Sequence, residues 1–132
     1  MDVLPVVRYF LLSEDISTNP MDPKKVTVID LLTTIRSKDD PPYPALVPEI
    51  CCTAWLTDGR RSGEAQIVCV EDETAEKLFA SRRHVVQLSE DPLEVSVVAI
   101  RIGDCRFPNP GLFTFEFHWN GQKLAECPLR MR

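Results

Sequence analysis

Apolar and polar residues alternate through the last quarter of the chain, on both sides of an Asn120-Gly121 pair. The apolar positions are Phe113, Phe115, Phe117, Trp119, Ala125, Cys127, Leu129 and Met131. Alternation with period two is typical of a strand with one buried face, and Asn-Gly between two such runs indicates a tight hairpin. The pattern therefore predicts an antiparallel hairpin that carries the aromatic part of a core.

The parity of these positions also predicts how the two strands are paired. Residues opposite each other in an antiparallel pair share one face of the sheet, so Phe115 should face Cys127. A strict two-residue loop would instead set Phe115 opposite Glu126. We expect a three-residue loop with Gly121 in the left-handed conformation, ending in a bulge.

Short apolar runs separated by turn residues continue through the rest of the chain, as in all-β proteins. The predicted strands before the final hairpin are residues 3–13, 26–35, 50–57, 64–70, 85–88 and 93–102. The first two are joined by a polar connection, SEDISTNPMDPKK, and the proline-rich residues 38–48 form a stiff crossing. We predict one domain over residues 1–132, an antiparallel β-sandwich of eight or nine strands with an Ig-like general shape.

The segment between Glu71 and Arg83 leaves two interpretations open. Residues 74–80 fit either a short helix capped by Thr74 or a turn followed by a strand through Leu78 and Phe79. The turn and strand are favoured, because a lone two-turn helix would have little to pack against.

The apolar positions of the strand over residues 93–102 change face along its length. Leu93, Val95 and Val97 share one face, whereas Val98, Ile100 and Ile102 share the other. A bulge near residues 97–98 would turn both sets toward the core, and the alternative is a strand buried on both sides. The bulge is favoured because Arg101 lies on the face opposite Ile100.

Composition and charge narrow the classes of function. The chain has 132 residues, 44% of them hydrophobic and 27% charged, and a net charge of -5. Bases are dispersed in pairs, which argues against nucleic-acid binding because that needs a basic surface. The N-terminal apolar run is short and broken by Arg8, so neither a signal peptide nor a membrane span is expected. A cytoplasmic protein is predicted.

The five cysteines support a reducing compartment. They are Cys51, Cys52, Cys69, Cys105 and Cys127, an odd number that includes an adjacent pair. A disulfide framework favours an even set, and zinc sites need paired ligands at regular spacing. We expect five reduced thiols, with Cys69 and Cys127 buried as small apolar side chains. No metal and no cofactor are predicted.

No catalytic motif stands out, since neither a nucleophile elbow nor a glycine-rich phosphate loop is present. Glu116 and His118 lie on one strand face and could pair, although both fit equally the solvent side of the alternation. His84 stands alone. No catalytic residue is assigned.

The two tryptophans carry different expectations. Trp55 lies in the middle of an apolar run and is expected in the core. Trp119 has inward parity but lies beside the turn, so it either covers the end of the core or, with His118 and Asn120, contacts a ligand or partner.

Three stretches of the chain resemble a family of short bacterial proteins known only as a domain of unknown function. They are VRYFLLSED near the start, VTVIDLLTTIRS with its proline-rich continuation, and FPNPGLFTFEFHWNGQKLAECPLRMR at the end. The resemblance implies a β-sandwich protein and transfers no site residues.

The sequence therefore favours a non-enzymatic binding or scaffold module that takes a protein partner, without nucleic acid or membrane. The alternative is a small enzyme or ligand-binding protein with a site around His84 or His118. A homodimer through an exposed edge strand is also compatible with the pattern.

Overall fold

A computed structural model describes residues 3–59 and 61–132, and none of these residues is helical. They form two sheets that do not close into a barrel, which confirms the all-β prediction. The ten strands are β1 (Val6–Asn19), β2 (Asp22–Leu31), β3 (Thr34–Ile35), β4 (Ala45–Thr57), β5 (Gly63–Glu71), β6 (Lys77–Ala80), β7 (His84–Val86), β8 (Ser96–Phe107), β9 (Gly111–Trp119) and β10 (Gln122–Met131). The count exceeds eight or nine because the single strand predicted over 26–35 is divided between β2 and β3.

The two sheets pack their inner faces around one core. The first sheet has the order β2-β1-β4-β8, and the second has the order β3-β10-β9-β5-β6 with β7 beside β5. Neighbouring strands are antiparallel except β3, which runs parallel to β10. Aromatic contacts join the sheets, with ring centroids of Phe10 and Phe117 5.8 Å apart and those of Phe107 and Phe113 5.0 Å apart.

The hairpin of β9 and β10 has the predicted pairing, with Phe115 opposite Cys127. The route to that register differs from the expectation. Trp119 pairs directly with Gln122 across a two-residue loop, and both Asn120 and Gly121 have positive φ angles of 49° and 81°. The extra residue is accommodated inside β10, where the register shifts between Lys123 and Ala125. The bulge therefore lies in the strand and not at the loop.

The polar stretch SEDISTNPMDPKK is not a connection, because most of it belongs to β1 and β2. Most of its polar side chains are exposed, whereas Ser13 and Ile16 are buried, and Ile16 lies opposite Val28 in the β1–β2 pair. Pro20 lies in the turn, and Pro23 lies near the start of β2. Strand formation here depends on the neighbouring strand and not on an apolar run.

The half of the β1–β2 hairpin that is nearest its turn crosses the outer face of the first sheet. Arg101 on β8 pairs with Asp15 and donates to the Ile16 carbonyl oxygen at 3.0 Å. Lys24 Nζ lies 2.6 Å from Glu94 Oε1, just before β8. Since β4 separates β1 from β8 in the sheet, these contacts place the hairpin across β4 and account for the burial of Cys51 there.

The predicted bulge at Val97-Val98 is wrong, and the strand begins later than expected. Leu93 is 85% exposed in a turn, and β8 pairs with β4 in unbroken register from Ser96. The buried face changes instead at residues 103–104, after which Cys105 and Phe107 point inward. Asp104 has a positive φ of 53°, which marks the point where the strand changes face.

The segment after β5 follows the favoured interpretation, with a turn over 72–74 and a strand, β6, over Lys77–Ala80. Phe79 in that strand packs its ring against both Phe107 and Phe115. This contact with the core explains why a strand is stable where a short helix would have lacked a packing surface.

Candidate functional site

A groove of about 400 Å³ lies on the outer face of the first sheet, beside the ends of β1 and β4. Its lining, called here the Tyr9–Trp55 groove, consists of Arg8, Tyr9, Trp55, Thr57, Asp58, Pro92, Leu93 and Val95. The walls are mostly aromatic and aliphatic, and the polar groups gather at one end. A concave apolar surface with a few convergent polar groups is the usual form of a binding site.

The expectation that Trp55 lies in the core is wrong. Its neighbours Ala54 and Leu56 are buried in the core, so alternation along β4 turns Trp55 to the outer face. Tyr9 is its partner in β1, and the two rings meet edge to face with centroids 6.3 Å apart and an interplanar angle of 85°. Tyr9 remains 66% exposed, so its ring presents an open apolar wall.

The polar end of the groove is a closed network. Arg8 donates from Nε to Thr57 Oγ1 at 2.7 Å and from Nη2 to Asp58 Oδ2 at 3.1 Å. The Thr57 hydroxyl donates to the same Asp58 oxygen at 2.9 Å. A bulge in β1 between Val7 and Tyr9 brings Arg8 to this position. Because these groups satisfy one another, they shape the end of the groove without leaving an unpaired charge.

The opposite wall comes from the turn that precedes β8. The Asp58 amide donates to the Pro92 carbonyl oxygen at 3.0 Å and fixes the turn against β4. The turn is further held by Asp91 Oδ1, which accepts from the Leu93 amide at 3.0 Å. Leu93 and Val95 remain 85% and 44% exposed, and Glu90 and Asp91 come directly before Pro92 in the chain. The groove therefore has an apolar floor and an apolar opposite wall.

His118 belongs to an ion-pair cluster on the outer face of the second sheet. Its Nε2 lies 2.9 Å from Glu116 Oε1, and Lys123 Nζ lies 3.3 Å from Glu116 Oε2 and 2.6 Å from Glu126 Oε2. Burial acts to raise the pKa of Glu116, but the hydrogen bonds from His118 and Lys123 outweigh it and the pKa is lowered. The cluster holds a charged carboxylate whose two oxygens both have partners.

The other predicted contact residues have structural partners at the same end of the hairpin. Trp119 is 2% exposed, in agreement with the interpretation that it covers the core. Asn120 Oδ1 accepts from the Glu64 amide at 2.9 Å, and the Asn120 amide donates to the Glu64 carbonyl oxygen at 2.9 Å. His84 lies in β7 opposite Ala65 and is not part of the His118 cluster. The partner-contact role of His118 and Asn120 stays a prediction.

The five cysteines are free thiols, four buried and Cys127 partly buried. Burial raises the pKa of the Cys105 thiol to about 12, and Asp104 adds to that shift. Burial also raises the pKa of Cys69 and Cys52 well above the ordinary value. High thiol pKa values disfavour the reactive thiolate. Over residues 3–59 and 61–132, no group of three or more His, Cys, Asp or Glu side chains is arranged to hold a metal ion.

The residues of the groove were not identified from the sequence. Tyr9 and Trp55 both lie in apolar runs, and Leu93 was assigned to a strand instead of a turn. Asp58 directly follows β4 in the chain and connects Arg8 to Pro92. The groove unites three parts of the chain that are far apart in sequence, so no local motif indicates it.

A family model covers residues 8–132 and is described as a family of unknown function, DUF6941. The chain belongs to this family. This agrees with the resemblance inferred from the sequence. A comparison with curated proteins found no match. Among the described residues, no helix is long and apolar enough to cross a membrane.

Solved structures with a similar fold share little sequence with the chain. A DNA glycosylase, AlkC of Pseudomonas fluorescens bound to DNA with an abasic site analogue, aligns with a TM-score of 0.55 and 9% identity, over 97% of this chain and 30% of that one. The β-glucosidase EmGH1 of Erythrobacter marinus aligns with a TM-score of 0.53 and 12% identity, over 98% and 16%. A mutant β-glucosidase of Listeria innocua aligns with a TM-score of 0.50 and 9% identity, over 94% of this chain and 16% of that one. The chain spans less than a third of each of these proteins, and the likeness concerns the fold alone.

Proposed function

We propose that this protein is a non-enzymatic binding module that takes an extended, apolar segment of a partner protein into the Tyr9–Trp55 groove. The proposal rests above all on the exposed aromatic and aliphatic walls of that groove. Proline-rich segments dock in aromatic-lined grooves because their extended backbone is already ordered before binding. The two rings at right angles provide a ridge and an adjacent slot for such a segment.

Charge supports a basic partner segment. Arg8 and Asp58 neutralise each other at one end of the groove, and the acidic residues Glu90 and Asp91 come directly before the Pro92 wall in the chain. The whole chain carries a net charge of -5. Opposite charges across an interface speed association and select partners. A segment with a proline-leucine centre and flanking arginines therefore fits the groove better than an acidic one.

The wider proposal is a cytoplasmic bacterial protein with an Ig-like β-sandwich fold and a protein partner. The five free thiols support a reducing compartment, and two sheets packed on one core support the sandwich. A homodimer remains part of the proposal as an alternative assembly, and β8, at one edge of the first sheet, offers the strand for it. Light scattering at increasing concentration distinguishes a monomer from this dimer.

The alternative of a small enzyme or ligand-binding site around His84 or His118 has less support. Glu116 is occupied by His118 and Lys123, and its lowered pKa does not suit a general acid at neutral pH. Neither histidine lines the Tyr9–Trp55 groove, and three further concavities of the described residues are also lined by other side chains. The two histidines also lie on different strands, β7 and β9, where His84 is opposite Ala65 and His118 is opposite Gln66 of β5.

Fluorescence of Trp55 tests the proposal directly. A peptide with a Pro-Leu-Pro-Pro-Leu-Pro centre and two flanking arginines is titrated into the protein, with a Glu-flanked peptide as the comparison. We expect saturable binding of the basic peptide, a change in tryptophan emission that disappears in Trp55→Phe, and weaker binding of the acidic peptide.

Surface variants supply the matched control. Leu93→Asp should weaken binding at least tenfold, because it places a charge in the apolar wall. Val85→Asp, at a position that is 79% exposed on another strand, should bind normally. Absence of saturable binding, equal loss in both variants, or equal binding of the acidic peptide would overturn the proposal.

A further inference from the structure

A second cleft of about 530 Å³ lies at one end of the molecule, between the start of β4 and the segment that follows β3. Its apolar lining comes from both sheets and comprises Leu32, Ile35, Ala45, Leu46, Val47 and Met131. Ala45 and Met131 belong to the core, so the floor of this cleft reaches the space between the sheets. Its volume lies within the range of small-molecule sites, about 300–1,000 Å³.

Both basic residues that line the cleft lie on the segment after β3, which also carries Asp39. Arg36 and Lys38 follow β3, are exposed, and make no hydrogen bond or ion pair with another described residue. The carboxylate of Asp39 accepts from the Leu46 amide at 3.0 Å, and Glu49 pairs with Arg101 at 3.0 Å. One wall therefore has two cations available to a ligand, while two of the neighbouring acids are already engaged.

Glu14 is the third acidic residue that lines the cleft, beside Asp39 and Glu49. It lies on β1, whereas Arg36 and Lys38 lie on the segment after β3. A ligand whose negative head group approaches the two cations can place its apolar body on the floor formed by Ala45 and Met131. This arrangement is typical of sites that bind an amphiphilic anion.

We propose that this cleft binds a free medium-chain carboxylate, with the carboxylate group at Arg36 and Lys38 and the alkyl chain over the apolar floor. Arginine and lysine side chains form charge-assisted hydrogen bonds with carboxylates, which are stronger than neutral ones. Burial of the alkyl chain supplies the remaining driving force, about 0.8 kcal/mol for each methylene group removed from water. The site is separate from the Tyr9–Trp55 groove and does not depend on it.

Isothermal titration with sodium dodecanoate, kept below its micelle concentration, tests this site in the intact protein. We expect saturable binding of one molecule, weaker binding of hexanoate, and weaker binding of dodecyltrimethylammonium, which has the same chain and the opposite charge. Absence of saturable binding, or equal binding of the cationic amphiphile, would overturn the proposal. Binding only when dodecanoate is presented in phosphatidylcholine vesicles would also overturn it.

Charge variants locate the head group without disturbing the core. The double variant Arg36→Glu/Lys38→Glu should weaken dodecanoate binding at least tenfold. Lys25→Glu/Lys77→Glu changes the net charge equally at exposed positions elsewhere and should leave binding within twofold. Glu14→Gln should strengthen binding about twofold or more, because a repulsive carboxylate is removed. Equal losses in the two double variants would contradict the assignment, and Leu93→Asp should have no effect at this site.

Discussion

The two tryptophans of the chain lie in opposite environments although each belongs to a long strand. Trp119 is 2% exposed, and its ring lies so close to Gly63 that an added Cβ atom there would be 2.3 Å from Trp119 Cε2 and Cζ2. Trp55 lies on the outer face of the first sheet and lines an open groove with Tyr9. The comparison shows that the same residue type closes a core in one place and forms a surface in another.

The difference arises from the face that each strand turns inward. In β9 the alternation of aromatic and polar residues assigns Trp119 to the buried set without ambiguity. In β4 residues 50–56 are apolar or small on both faces, so the pattern does not reveal that Ala54 and Leu56 point inward and Trp55 outward. Crossing of the β1–β2 hairpin over β4 buries part of the outer face as well.

The largest expected effect is the difference in stability loss between alanine variants of the two tryptophans. Trp119→Ala should lower the free energy of unfolding by about 3–5 kcal/mol, the usual cost of removing a large aromatic side chain from a packed core. Trp55→Ala should cost about 1 kcal/mol, because its ring is only partly buried. Urea denaturation of both variants measures the contrast. Equal losses would show that Trp55 contributes to the core as much as Trp119 does.

A substitution at Gly63, which lies against the Trp119 ring, tests how tightly that ring is packed. Gly63→Ala should cost about 1–3 kcal/mol, because the methyl group would displace the Trp119 ring. Gly103→Ala is the matched control, since the nearest atom to its Cβ position is the Pro48 carbonyl oxygen at an ordinary 3.7 Å. Its stability should change by less than about 1 kcal/mol. A thermal melt in which Gly63→Ala is neutral would contradict the tight packing of Trp119.

The smallest effect concerns the face of β9 that points away from Trp119. Glu116→Gln should cost less than about 1 kcal/mol at pH 7, because it weakens the pairs with His118 and Lys123. The lowered pKa of Glu116 stabilises the fold above the ordinary glutamate pKa, and this stabilisation is lost as the pH falls through the lower folded value. The variant should therefore show a shallower loss of stability below about pH 4. If the stability of both proteins depends on pH in the same way, Glu116 does not contribute to the loss of stability in acid.

Much of the second sheet followed from the sequence. The pairing of Phe115 with Cys127 was predicted from parity alone, because each side chain in this hairpin is clearly apolar or polar. The strand over residues 77–80 was also favoured correctly. The bulge was placed at the loop instead of inside β10, since parity shows that the hairpin needs one extra residue but not where that residue lies.

The first sheet was less predictable. The polar residues of SEDISTN form part of β1 because β2 provides the backbone partners, a contact that composition does not indicate. The apolar pattern predicted Leu93 in a strand, yet hydrogen bonds at Asp58 and Asp91 hold it in a turn. Both errors come from interactions between residues that are distant in the chain, or from local capping that competes with apolar patterning.

The candidate sites depended even more on tertiary structure. The sequence singled out Trp119, His118 and Asn120, whereas the groove combines Tyr9 and Trp55 with the turn at Pro92. His118 was correctly placed on one face with Glu116, but Lys123 reaches that pair because the two-residue loop sets it opposite His118.

The sequence by itself determined the all-β class, the family and the register of the terminal hairpin, because alternation with period two records which side chains a strand buries. The tertiary structure alone decided which face of β4 is inward and which residues line the two concavities. Those outcomes depend on packing between strands that are far apart in the chain, and apolar residues on both faces of a strand leave its orientation to that packing.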